Sequence, residues 1–167
     1  GKSIIHNSSL EFELISLNAP NLRPNDMGRQ WYSLFPPDWS EAEIAVDKLL
    51  DTLKAFDKTK IPLEKTILLG FSQGGAMALD AGLRLDLGLV ISCSGYTHPK
   101  WYPIKNNPVL LSHGKQDQVV PVNASREISR RLGNEMNLDY ELHEYDCSHT
   151  IHPNFIEVIG LKIKKLF

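Results

Sequence analysis

The sequence predicts an α/β protein built on a mostly parallel sheet with helices on both faces. Three observations carry this. Short continuous apolar runs at 65–71 (KTILLGF), 87–93 and 108–112 have the composition of strands buried on both faces. Segments of helical period fall among them, so strands alternate with helices throughout. No internal repeat or low-complexity linker interrupts the pattern, and 167 residues is a one-domain length.

The elements follow in order. Residues 10–17 (LEFELISL) alternate imperfectly and stop at Asn18-Ala19-Pro20, a strand followed by a breaker. Residues 20–38 are an irregular stretch with four prolines that carries Trp31, Tyr32, Leu34 and Phe35. Such a stretch is either a surface excursion whose aromatics fold back on the core, or a lid or substrate wall. Ser40 opens a helix with Glu43 as capping-box partner, and Ile44, Leu49, Leu50, Leu53 and Phe56 form its apolar stripe. After the strand at 65–71, a Gly- and Ala-rich helix at 73–85 can sit very close to a sheet. Beyond the strands at 87–93 and 108–112, Asn123 caps a helix with Ile128, Leu132 and Met136 at every fourth position. A strand at 140–145 precedes a last helix with Pro153 in its first turn and Phe155, Ile159 and Ile163 inward. Lys162, Lys164 and Lys165 complement that helix's dipole.

Composition narrows the function. Apolar residues at 42% and charged residues at 23% are enough for a packed core and argue against disorder. Lys plus Arg count 18 against 20 Asp plus Glu, which leaves no basic stripe for a nucleic-acid backbone. The longest apolar runs are far too short to cross a bilayer. With no charged-then-apolar signal peptide at the start, a cytoplasmic protein is expected. Two cysteines, Cys93 and Cys147, are too few for a disulfide scaffold or a four-ligand zinc site. His149 and His152 lack an acidic or Cys partner at ligand spacing, so no metal is expected.

One motif carries chemistry. Gly70-Phe71-Ser72-Gln73-Gly74 reads G-x-S-x-G, modest alone but set between a buried strand and a small-residue helix, as a nucleophile elbow requires. Gly70 and Gly74 would let strand and helix approach. In an ordinary turn Ser72 would only cap the helix. A serine needs a base, and the base an orienting acid, in the chain order Ser, Asp or Glu, His. Asp117 and His149 each follow a strand at its carboxyl end, where open-sheet sites gather. His152 is the rival base and Asp146 the rival acid; His113 and His143 read as structural.

GFSQGGAMAL, LSHGKQDQVVP and YDCSHTI, in that order, resemble the phospholipase/carboxylesterase family, which includes the acyl-protein thioesterases and has the α/β-hydrolase fold. The resemblance runs from LISLNAP to the last helix. It implies a cofactor-free serine hydrolase of carboxylic esters or thioesters, working through an acyl-enzyme on a small-molecule ester or acyl substrate. Ser72 is then the nucleophile, Asp117 the orienting acid, His149 the base, and the Gln73 backbone N–H an oxyanion donor. Gly28-Arg29-Gln30-Trp31-Tyr32 resembles the family's Gly-rich stretch beside the acyl site, with Ser33 where the family usually has Asp and Cys147 where it usually has Gly. Trp31 and Tyr32 precede one helix and Trp101 follows another strand's carboxyl end, so both loops lie on the face where Ser72 should emerge and these three residues are expected to bind substrate.

The start of the chain departs from the family. Nothing in residues 1–10 matches its His-Gly-x-Gly oxyanion loop, and residues 1–7 look like the end of the helix that follows that loop. The expectation is one α/β-hydrolase domain over 1–167, N-terminally incomplete by roughly thirty to fifty residues, with its N-terminal strand or strands missing. Two buried sheet edges would then lack partners, and a homodimer is one arrangement that would cover them. The competing reading is a catalytically impaired fragment, or a non-catalytic binding module on the same fold.

Overall fold

The computed structural model describes residues 12–23, 28–58 and 61–167. Strand β1 (Asn21–Leu22) pairs antiparallel with β2 (Arg29–Gln30), a small hairpin within the proline-rich stretch. Helix α1 (Trp39–Lys58) follows, then a 3₁₀ turn at Leu63–Lys65, strand β3 (Ile67–Phe71) and helix α2 (Gln73–Gly82). Strands β4 (Leu89–Cys93) and β5 (Val109–Gly114) precede helix α3 (Asn123–Arg130). Strand β6 (Tyr140–Tyr145) and helix α4 (Pro153–Leu166) complete the order. The four long strands form one parallel sheet in the order β3-β4-β5-β6.

Alternation along each strand sends its side chains to two different cores. Val90, Val109 and Leu111 face α2 and α3 with Leu79, Ile128 and Leu132. Leu89, Ile91, Cys93 and Leu110 face Phe155, Ile159 and Ile163 of α4. Helix α1 packs beside α2 through Ala42, Ala45, Val46, Leu49 and Leu53 against Met77 and Ala81. Helices thus cover both faces, as the sequence predicts.

Several expectations need correction. Strand β3 is only partly buried, with Leu69 40% exposed, because β4 is its only strand partner among the described residues. Of the strand expected at 10–17, residues 12–17 form no ladder, and Leu14, Ile15 and Leu17 are exposed. The helix end expected at 1–7 lies outside the described residues. Helices do not alternate with strands throughout: β4 and β5 are joined by an irregular run, 94–108, broken by Pro99, Pro103 and Pro108. Asn123 does not cap α3; it is the first helical residue, after Val122 in helical conformation. The helix then passes into a π turn at Arg131–Glu135, which leaves Met136 half-buried.

The α1 start also differs. Asp38, not Ser40, is the cap: its Oδ1 accepts from Glu41 N at 2.9 Å and its carbonyl from Ala42 N at 3.1 Å. Glu43 reaches out to Lys100 instead, at 2.8 Å. Ile44 is exposed, since the buried face runs 42, 45, 46, 49, 50, 53, the i, i+3, i+4 spacing of a single stripe. At the other end of the chain, Pro153 opens α4 as expected, and His152 caps it through Nδ1, which accepts from Asn154 N. Lys162 is 7% exposed and pairs with Glu141 at 2.9 Å and Asp139 at 3.6 Å, so it ties α4 to β6 instead of serving the dipole.

The cap assignment is testable by urea unfolding. Asp38→Ala is expected to cost about 1 kcal/mol. Ser40→Ala should stay within about 0.5 kcal/mol.

Candidate active site

Strand β3 ends at Phe71, and the chain reverses through Ser72 into α2. Ser72 sits at φ 55°, ψ −120°, a region that costs a non-glycine residue roughly 1–3 kcal/mol. The surrounding bonds hold it there: Ser72 N donates to Cys93 O at 2.8 Å, and its carbonyl accepts from Gly75 N and Ala76 N at 2.9 and 3.1 Å. Its side chain does not cap the helix. Glycine makes the turn possible at two places. A Cβ on Gly70 would overlap the Gly74 carbonyl, and one on Gly75 would lie 2.8 Å from Ser92 Oγ. The expectation for Gly74 is corrected: a Cβ there meets nothing, and only its backbone is crowded.

Asp117 lies just past β5, its carboxylate wholly enclosed. Oδ1 accepts from the N–H groups of Val119 and Val120, each at 2.9 Å, and Oδ2 accepts from His149 Nδ1 at 2.7 Å. Burial alone would raise this carboxyl. The His149 hydrogen bond, the two backbone N–H groups and the imidazole's charge outweigh burial and hold it below the usual carboxylate range. His113 stands behind it, with Nε2 3.3 Å from Oδ2, and is itself anchored to Ser125 Oγ and Val120 O.

His149 comes from the loop after β6. Its Nδ1–H serves Asp117, and its Nε2 lies 3.0 Å from Ser72 Oγ. The ring packs on Phe71 at 4.7 Å. The loop crosses the end of β5 directly over Gly114, where any Cβ would overlap the carbonyls of Cys147 and Ser148.

The rivals lie elsewhere. His152 stacks on Tyr145 at 4.5 Å while capping α4, and Asp146 points outward to Lys115. His143 packs on Phe155. Cys93 is buried, which pushes its thiol up to about 11 despite the Ser112 hydrogen bond, and Cys147 is also unpaired. Among the described residues no cluster of three or more His, Cys, Asp or Glu could hold a metal. No described helix is long and apolar enough to cross a membrane.

Gln73 occupies the first position of α2, where helix geometry leaves N–H groups without intrahelical acceptors. Its side-chain amide is also used. Oε1 accepts from Trp31 N at 2.9 Å and Nε2 donates to Tyr32 O at 2.8 Å, so the aromatic loop is pinned beside Ser72. Trp31 borders a cavity of about 520 Å³ that reaches Phe71, Gly74 and Ile151 at this end and continues past β3 along residues 12–17.

Two expected substrate contacts are corrected. Tyr32 is 0% exposed among Ala42, Val46, Leu49 and Met77. Trp101 is 2% exposed, donates from Nε1 to Leu79 O and lies under the Arg131 guanidinium. Both rings close the core beneath their loops, because each is the large apolar surface its loop has to bury. Sequence reasoning missed the Gln73 amide and a buried Asp80–His98 pair, although a lone Asp amid the apolar residues of α2 was a visible signal.

The fold and the elbow define an α/β-hydrolase of the esterase and thioesterase type. More narrowly, the chain belongs to the phospholipase/carboxylesterase family, whose model matches residues 3–167. Acyl-protein thioesterase 1 of Saccharomyces cerevisiae is 26% identical over 171 residues, spanning 89% of this chain and 75% of the relative. The protein of the same name from Emericella nidulans is 35% identical over 107 residues, spanning 56% of this chain and 44% of the relative. The crystal structure of esterase PE8 superposes with a TM-score of 0.80 at 31% identity, over 90% of this chain and 76% of that one. A Bacillus cereus carboxylesterase shares the fold at a TM-score of 0.74 and 18% identity, over 88% and 73%.

The steric reading of the elbow separates its glycines. Gly70→Ala is expected to cost at least about 3 kcal/mol, because backbone has to move to admit the methyl. Gly74→Ala should change stability by no more than about 1 kcal/mol. Urea midpoints of the two variants check this.

Proposed function

We propose that this protein is a serine hydrolase that cleaves carboxylic esters or thioesters through an acyl-enzyme. The observation that carries the reading is the unbroken line from Ser72 Oγ through His149 to the Asp117 carboxylate, at 3.0 and 2.7 Å. A carboxylate can only accept, so Asp117 fixes the His149 proton on Nδ1 and leaves Nε2 free to take the serine proton. Ser72 Oγ attacks the acyl carbon as Nε2 removes its proton. Asp117 stabilises the resulting imidazolium without taking the proton itself. The negative oxygen of the tetrahedral intermediate lies at the start of α2, where the Gln73 N–H donates to it and the helix dipole favours negative charge. Collapse expels the alcohol or thiol, which takes the proton from Nε2. A water activated by the same nitrogen then releases the acid.

Two features support an acyl group as the recognised part. The cavity that reaches Phe71 and Gly74, on either side of Ser72 in the chain, is walled there by Trp31 and Ile151, and an apolar wall suits a hydrocarbon chain better than a charged group. Relatives named as acyl-protein thioesterases bring thioesters within the substrate class. No metal or cofactor is needed for any step. We place the reaction in the cytoplasm, a reading supported by two thiols that remain unpaired.

Two outcomes test this. In the protein extended to the length of its relatives, Ser72→Ala and His149→Ala should each lower kcat on p-nitrophenyl acetate by roughly 10⁴ to 10⁶ while the fold persists. His152→Ala should lose far less, and the reverse ranking would move the base to His152. Along a series of p-nitrophenyl esters, Trp31→Ala should depress hydrolysis of long chains more than of acetate. An unchanged chain-length profile would remove Trp31 from the substrate wall.

A further inference from the structure

Beneath the aromatic loop lies a polar string that packing alone does not require. Asp80, near the end of α2, is 5% exposed and His98 is 6% exposed. His98 Nδ1 donates to Asp80 Oδ2 at 2.7 Å, and Arg84 holds the other carboxylate oxygen at 2.6 Å. The tautomer this imposes leaves His98 Nε2 as an acceptor, 3.0 Å from the Tyr32 hydroxyl. The Tyr32 oxygen is in turn 2.6 Å from the Tyr96 hydroxyl. Burial first, and the Tyr96 contact second, keep the Tyr32 phenol protonated and therefore able to donate to His98.

A phenylalanine would fill the same apolar pocket, so burying a hydroxyl, an imidazole and a carboxylate there costs desolvation with no gain in packing. What a hydroxyl adds over a phenyl ring is position. The Tyr32 ring is fixed at its far end by His98 and Tyr96, and its backbone carbonyl accepts from Gln73 Nε2. The preceding peptide is fixed too, through Trp31 N on Gln73 Oε1. Trp31 itself has no side-chain hydrogen bond among those described; its ring is placed by the 31–32 backbone and by packing against the cluster that contains Tyr32.

We propose that Tyr32 and His98 are positioning residues that set the acyl selectivity of the site by fixing the Trp31 wall beside Ser72. Neither residue touches substrate. The inference rests on the hydrolase reading above and adds to it a control of chain length from within the core.

Kinetics on short and long esters test it, in the protein extended to the length of its relatives. Tyr32→Phe removes one oxygen and keeps the ring, so the fold should survive, as a thermal melt will show. It is expected to lower kcat/KM for p-nitrophenyl octanoate roughly tenfold, mainly through KM, and to change acetate hydrolysis by less than about twofold. His98→Gln should shift selectivity in the same direction. The decisive arm is the double variant: in a Trp31→Ala background, Tyr32→Phe should have almost no further effect on octanoate. Equal losses on both esters would overturn the proposal and make the string a stability element. So would a full additional loss in the Trp31→Ala background. Hydrolysis of both esters that survives Ser72→Ala would instead overturn the hydrolase reading, and this inference with it.

Discussion

The contact between Gly70 and the Gly74 carbonyl is the constraint on which the site depends. A strand and a helix joined by one residue can reverse direction only if their backbones nearly touch, and no side chain fits between them there. That approach forces Ser72 into its left-handed conformation, which lifts Oγ clear of the sheet and frees the first N–H groups of α2. It also decides what may surround the turn. The helix must be narrow, hence the run of Gly and Ala, and β4 with the turn after it must present Ser92 and Gly95 where they meet Gly75. The strain at Ser72 is offset by bonds to three other residues, none of them an unusual interaction.

Around that turn, polar groups are arranged in two layers of different kinds. One layer, Asp117 with His113 behind it, is enclosed yet fully bonded, which is the condition for a carboxylate to stay charged away from water. The other, Asp80 with His98, lies near the opposite end of α2 from Ser72 and bonds to Tyr32 instead. The two share a design: a buried acid fixes the tautomer of a histidine, and the free nitrogen meets a hydroxyl. Their contexts differ. Phe71 and Gly74, on either side of Ser72 in the chain, line the cavity, whereas the hydroxyl at Tyr32 faces only protein.

The features legible in the sequence were those whose cause is local. Ser72 was readable because strand, turn and helix are contiguous, and Asp117 and His149 because strand ends can be found by composition. These three do meet in space. The fate of the loop aromatics was not readable, since whether Tyr32 or Trp101 faces substrate or core depends on which surface the loop folds onto. The Asp38 cap was mistaken for Ser40 because both residues suit the role, and only the first buried position, Ala42, fixes the frame. Strand β3 read as doubly buried because an apolar run describes a strand's own faces and says nothing of how many neighbours pair with it.

The chain's route to His149 is also a measurement of length. Strands β3 and β6 stand three places apart, about 14 Å at the usual spacing between strands. Three residues separate Tyr145 from His149, and the four steps between them could span at most about 13–14 Å if fully extended. The loop is nevertheless not drawn straight: Cys147 N donates to Tyr145 O at 2.9 Å, which folds the chain at its start. It crosses the end of β5, and glycine at 114 is what lets it pass there. The imidazole bridges the remaining gap. The loop after β6 can thus fold on itself and still bring the ring to the serine over Phe71.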